Sequence, residues 1–242
     1  MLKKIFKFVL VLAIAVLVIQ IIWYQIDGIP TPEADTYMSG AGFAVTENAD
    51  GSFWFRPDTN NGQGIVIMHG ALILPKSYAK SAAYFAAAGY TVYLPHGTVR
   101  LSITAVDNVA ETIKQSGISD WFFIGHSMGG MASLETISRH SIPARGVALW
   151  ATSMPSDYSQ LTQPILFIWG DTDGLLPISR LESGKTNLPA HTQYITLNGA
   201  NHKNFSLYSH QFFDSEATIG WDTQIDFANQ TTHEFFNSLS ID

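Results

Sequence analysis

The stretch WFFIGHSMGGMASLETI, Trp121 to Ile137, decides how this chain folds. Its first four residues are apolar and aromatic, as in a strand buried on both faces. MGGMASLETI, after the serine, has the composition of a helix. Between them stands Gly125-His126-Ser127-Met128-Gly129, a G-x-S-x-G pattern at a strand-to-helix switch. Glycines on both sides let the chain reverse sharply and leave the serine at the tip of the turn. The first amides of the helix point toward the same tip, where they stabilise negative charge. Ser127 is therefore the candidate nucleophile.

Outward from this elbow, short apolar strands alternate with helical stretches. Upstream are an expected hairpin (GFAVTEN, then SFWFRP), the strand GIVIMHG at 64–70, a helix ending at Gly89, the strand TVYLP at 91–95 and a helical stretch around 102–115. Downstream come GVALWA at 146–151, PILFIWG at 164–170, TQYITLNG at 192–199 and a last helix over about 222–239. Near-continuous apolar strands alternating with helices predict an α/β fold with a mainly parallel sheet covered on both faces. Such sheets bind ligands at the carboxyl ends of their strands. Twelve residues, Thr152 to Gln163, separate two of the later strands, too few for a sizeable cap domain.

A serine hydroxyl needs a base to remove its proton. Of the eight histidines, His202 lies in the loop after the last strand, TLNGANHKNF, while His126 beside the serine should point away from it. The orienting carboxylate is expected between serine and histidine in the chain, where Asp171 and Asp173 follow PILFIWG. Asp173 is preferred, because Asp171 sits tight against the turn and is placed to brace it. Its task is to fix the imidazole tautomer and stabilise the imidazolium. For the oxyanion, one donor should be the Met128 N–H and the other the N–H of Ala71, with Leu72 as second choice, beside the permissive Gly70.

Composition excludes several classes. The chain has 242 residues, no cysteine and a net charge of −7, with 46% hydrophobic and 14% charged residues. It is neither disordered nor suited to a nucleic-acid partner. No thiolates and no histidine pair at i, i+4 spacing leave no metal site to expect, and no motif asks for a cofactor.

The opening is distinct. IFKFVLVLAIAVLVIQIIWY, Ile5 to Tyr24, is almost unbroken apolar sequence. Twenty helical residues span about 30 Å, a bilayer's hydrocarbon thickness. Lys3, Lys4 and Lys7 precede the span, which by the positive-inside rule leaves the N-terminus in the cytoplasm and the domain outside. The expected organisation is an uncleaved signal-anchor at 1–26, a Pro-stiffened linker at 27–35 and one domain over 36–242; a cleaved signal peptide is the rival reading. The localisation that follows is the cell membrane, single-pass.

GIVIMHGALILPKSYAKSAAYFAAAGYTVYLP, FIGHSMGG, PILFIWGDTDG, NGANHKNF and EATIGWDTQ together resemble the α/β-hydrolase superfamily over about Gly64 to Asn237. The likeness is to its small capless members, akin to the dienelactone hydrolases, that many bacteria carry behind an N-terminal anchor. The resemblance implies a triad of Ser127, Asp173 and His202, the trio that chain order selects. In the His69-Gly70-Ala71-Leu72 loop such relatives more often have paired glycines, and dienelactone hydrolases proper use a cysteine nucleophile that this chain lacks. The expected function is hydrolysis of a small-molecule carboxylic ester. Acyl transfer to a cell-envelope acceptor and a non-catalytic binding role on the same fold are the alternatives. Phe205, Tyr208, Phe212 and Phe213 either wall an acyl or aryl pocket or pack the last helix.

Overall fold

The computed structural model describes residues 2–239; nothing is described of the side chains at 2–5, 17, 19 and 21–23. Eight strands form one sheet: β1 (Phe43–Glu47), β2 (Phe53–Pro57), β3 (Gln63–Met68), β4 (Thr91–Leu94), β5 (Asp120–His126), β6 (Ala144–Trp150), β7 (Ile165–Gly170) and β8 (Gln193–Leu197). Their order across the sheet is β1-β2-β4-β3-β5-β6-β7-β8. The β1–β2 hairpin and the β2–β4 pair are antiparallel, and every other neighbour pair is parallel.

Side chains alternate between two buried faces, which explains why the strands read as continuous apolar runs. On one face Ile65, Ile67, Phe122 and Ile124 pack beneath the helices α2 (Ala79–Ala87) and α6 (Trp221–Ser238). On the other, Val66, Met68, Trp121 and Phe123 pack beneath α3 (Val106–Gln115), α4 (Met128–His140) and α5 (Ile178–Gly184). The short α5 carries no strong apolar period, and the sequence pattern did not mark it.

The sheet order also locates a crevice. β4 lies on one side of β3 and β5 on the other, so the direction of winding reverses between β3 and β5. Ligands of open α/β sheets bind at that reversal, beyond the carboxyl ends of the strands. β3 ends there in His69-Gly70-Ala71 and β5 ends in Ser127. The β6–β7 connection holds no helix, so nothing in it forms a cap.

The opening stretch is a helix, α1 (Leu2–Ile26), with Phe6, Phe8 and Val9 through Leu12 exposed. Among the described residues no helix is long and apolar enough to cross a membrane. The expected anchor at 1–26 rests in part on residues 1–5, 17, 19 and 21–23, which lie outside those described in full.

The segment after α1 runs along the domain. Thr31 N–H donates to Leu207 O (3.1 Å), Ser209 N–H to Ile29 O (2.9 Å) and Leu74 N–H to Gly28 O (3.0 Å). Gly28 has φ +66°, and a Cβ there would come within 2.6 Å of Ile73 Cα. Arg100, itself buried, caps the end of α1 by donating to Tyr24 O at 2.7 Å, with its guanidinium 4.0 Å above the Tyr24 ring.

Candidate active site

The elbow forms for reasons the glycines make concrete. Ser127 has φ 53° and ψ −121°, a conformation rarely open to a residue with a Cβ, and α4 begins at the next residue. The turn is this tight because a Cβ at Gly125 would meet the Gly130 backbone, one at Gly129 the Met68 carbonyl, and one at Gly130 the Thr152 side chain. Ser127 N–H donates to Trp150 O (2.9 Å), which ties the strained residue to β6.

Asp173 and His202 meet in the structure. Asp173 Oδ2 lies 2.8 Å from His202 Nδ1, with the two side chains 0% and 4% exposed. Its other oxygen accepts the amides of Leu175 (2.8 Å) and Leu176 (2.7 Å). A carboxylate facing two donors remains an acceptor, so His202 Nδ1 carries the proton and Nε2 is left free to accept one. Asp171 instead accepts Gly199 N–H at 2.6 Å, where it holds the ends of β7 and β8 together.

The β3 loop sorts its own amides. Leu72 N–H donates to Arg100 O (2.7 Å) and Gly70 N–H donates to Tyr78 Oη (3.0 Å). Ala71 N–H has no protein acceptor among the described residues. The loop lies against Ser127: a Cβ on Gly70 would sit 3.5 Å from Ser127 Cβ. Met128 N–H, at the start of α4, is one of the unpaired amides of a helix N-terminus.

Several residues beyond the expected set hold this arrangement. Asp214 accepts four backbone amides, those of Gly174 (3.0 Å), His202 (3.2 Å), Ser215 (2.9 Å) and Lys203 (2.7 Å). It thereby joins the loop of the acid to the loop of the histidine. Nothing in its local sequence distinguishes it from any turn aspartate. His126 makes a buried contact with Tyr78, its Nδ1 lying 2.7 Å from the phenolic oxygen. His69 bridges Gly70 O (2.8 Å) and Gly97 N–H (3.2 Å), and burial pushes its pKa down to about 4.

The aromatics after His202 divide between the core and the surface. Phe205 and Tyr208 are core residues. Phe212 and Phe213 line a surface cavity of about 510 Å³ beside the histidine loop, together with Lys203 and Trp221. Among the described residues no group of three or more His, Asp or Glu side chains is placed to hold a metal ion.

Known proteins resemble the chain in fold and in sequence. The CIB-like hydrolase of Thermoplasma acidophilum superposes with a TM-score of 0.60 at 18% identity, over 81% of this chain and 100% of that one. Thermogutta terrifontis esterase 2 gives 0.58 at 13% identity, over 83% and 96%. In sequence, the bis(hydroxyethyl) terephthalate hydrolase of Streptomyces coelicolor is 27% identical over 210 residues. That match takes in 79% of this chain and 66% of the relative, just under two thirds of its length. Residues 64–226, from the start of β3 into α6, match the pattern of a single family: the chain belongs to the alpha/beta hydrolase family.

Proposed function

We propose that this chain is a serine hydrolase of carboxylic esters, with Ser127 as nucleophile, His202 as base and Asp173 as orienting acid. The observation that carries the reading is the buried 2.8 Å pair of His202 and Asp173 in loops beside a Ser127 held in the strained elbow. Ser127 Oγ attacks the ester carbonyl while its proton passes to His202 Nε2, and the imidazolium is stabilised by Asp173. The oxyanion is received by Met128 N–H and Ala71 N–H. Collapse expels the alcohol, which takes the proton from His202; water activated by the same histidine then hydrolyses the acyl-enzyme and restores Ser127.

An uncapped crevice and a terephthalate-ester hydrolase among the relatives support small or exposed esters, aryl esters included, as substrates. A kinship with dienelactone hydrolases, with serine in place of cysteine, belongs to the same reading. Ser127→Ala should lower turnover of short p-nitrophenyl esters at least about ten-thousandfold with an unchanged circular dichroism spectrum. Turnover near the parent level in that variant would refute the assignment.

α1 serves in this proposal as a membrane anchor with the domain on the extracytoplasmic side. The exposed run from Val9 to Leu12, with Phe6 and Phe8, supports it, since such a surface is unfavourable in water. The full chain should float with phosphatidylcholine vesicles in a density gradient, and a chain beginning at Asp27 should not. Sedimentation of the full chain away from the vesicles would exclude the anchor.

A further inference from the structure

Two buried polar side chains outside the proposed triad join its moving parts. Tyr78 Oη accepts Gly70 N–H (3.0 Å) and lies 2.7 Å from His126 Nδ1, and His126 Nε2 lies 3.0 Å from the carbonyl oxygen of His202. Neither residue is more than 1% exposed. The ends of this chain are a backbone donor and a backbone acceptor, so its protons can be placed. The His202 carbonyl can only accept, so Nε2 of His126 must carry a proton. Nδ1 of the neutral ring is then an acceptor, and Tyr78 must give it its hydroxyl hydrogen. That leaves the phenolic oxygen to accept from Gly70. The opposite tautomer would leave two acceptors, Nε2 and the His202 carbonyl oxygen, facing each other at 3.0 Å. Burial favours the neutral ring at His126 and the neutral phenol at Tyr78.

The ends of the chain matter more than its middle. Gly70 precedes Ala71, the proposed second oxyanion donor, and lies against Ser127. His202 is the proposed base, and its ring centroid is 5.0 Å from that of His126. The pair therefore spans the nucleophile from beneath, from the loop that receives the oxyanion to the loop that holds the base. We infer that Tyr78 and His126 are positioning residues: their directed hydrogen bonds keep the Ala71 amide and the His202 imidazole in register about Ser127. They touch no substrate and transfer no proton in the reaction. The inference rests on the triad reading above, which the Ser127→Ala assay tests separately.

Tyr78→Phe removes the link and keeps the ring. A sub-ångström loss of register is costly to the chemical step, so kcat should fall about tenfold to a hundredfold while KM stays within about twofold. A residue that merely fills the core would lower thermal stability and leave kcat of the folded fraction alone. His126→Gln can still donate to the His202 carbonyl and should retain several-fold more kcat than His126→Leu. Nitrogen-15 NMR of the histidine side chains supplies the direct reading. The parent should show a resonance, lost in His126→Gln, of a neutral ring protonated at Nε2 alone, and Tyr78→Phe, which removes the donor to Nδ1, should shift the Nδ1 resonance while Nε2 keeps its proton. A parent His126 protonated at Nδ1 overturns the inference whatever the variants do. So does Tyr78→Phe with unchanged kcat, or with reduced kcat and an unaltered His126 signal.

Discussion

The loop after β7 and the loop after β3 both serve the proposed site, yet they are built in opposite ways. After β7, the proposed function falls to a side chain: Asp173 contacts His202 while the amides of Leu175 and Leu176 hold its second oxygen from within the same turn. After β3, the proposed function falls to a backbone amide, and residues far away in sequence take up the amides on either side of it. Tyr78 takes Gly70 N–H, the Arg100 carbonyl takes Leu72 N–H, and Gly28 packs against Leu72 and Ile73. A side-chain function is held locally, whereas a backbone function depends on tertiary partners and fails when they move.

The largest expected effect lies on the side-chain loop. Asp173→Asn should reduce kcat about a thousandfold to ten-thousandfold, because an amide can leave His202 in the wrong tautomer. Asp171→Asn, which weakens a brace and touches no contact with His202, should cost less than about tenfold in the same assay. Equal losses in the two variants would erase the distinction between them.

On the backbone loop the effect should appear first in stability. Gly28→Ala sets a Cβ against the Leu72 carbonyl and Ile73 at φ +66° and should cost about 3 kcal/mol in urea unfolding. If that variant matches the parent in stability, the post-helix segment does not support the loop. A smaller change should follow from lowering the pH. His69, buried with a pKa of about 4 in the folded chain, titrates near 6.5 once unfolded. Between these values the unfolded chain binds the proton and the folded chain does not, so stability is full above pH 6.5 and declines as pH falls toward 4. At pH 5 this ring alone should remove roughly 2 kcal/mol, with a further loss from His126, whose pKa burial also lowers. Flat stability from pH 7 to pH 5 would mean that these rings are not held neutral.

Asp214 crosses the comparison, since it fastens the acid loop and the histidine loop to each other. Asp214→Asn keeps an acceptor oxygen but weakens four charge-assisted bonds, and kcat should drop about tenfold or less. An unchanged kcat would show that the Asp173 turn and the histidine loop hold their places without it.

Legibility in the sequence follows the same division. The strands β3 to β7 were readable because each is buried on both faces and so runs apolar, and the elbow because its tight turn admits little but glycine beside Ser127. His202 and Asp173 were readable from chain order and position at strand ends. The preference for Ala71 over Leu72 gained support only once the partner of Leu72 N–H was known, and that partner, the Arg100 carbonyl, lies on another element. Asp214 and the His126–Tyr78 pair gave no signal of their role, because hydrogen bonds between distant loops leave no local pattern. α5 was missed for want of an apolar period, and the stretch 27–31 gave no hint of the backbone bonds that pin it to the domain.

The most direct test of the central claim is labelling of the intact chain with a fluorophosphonate, followed by mass spectrometry of the peptides. Covalent modification at Ser127, abolished in Ser127→Ala and strongly slowed in His202→Gln, is the expected result. Absence of modification, or modification of another serine at the same rate, would contradict the assignment of Ser127 as an activated nucleophile.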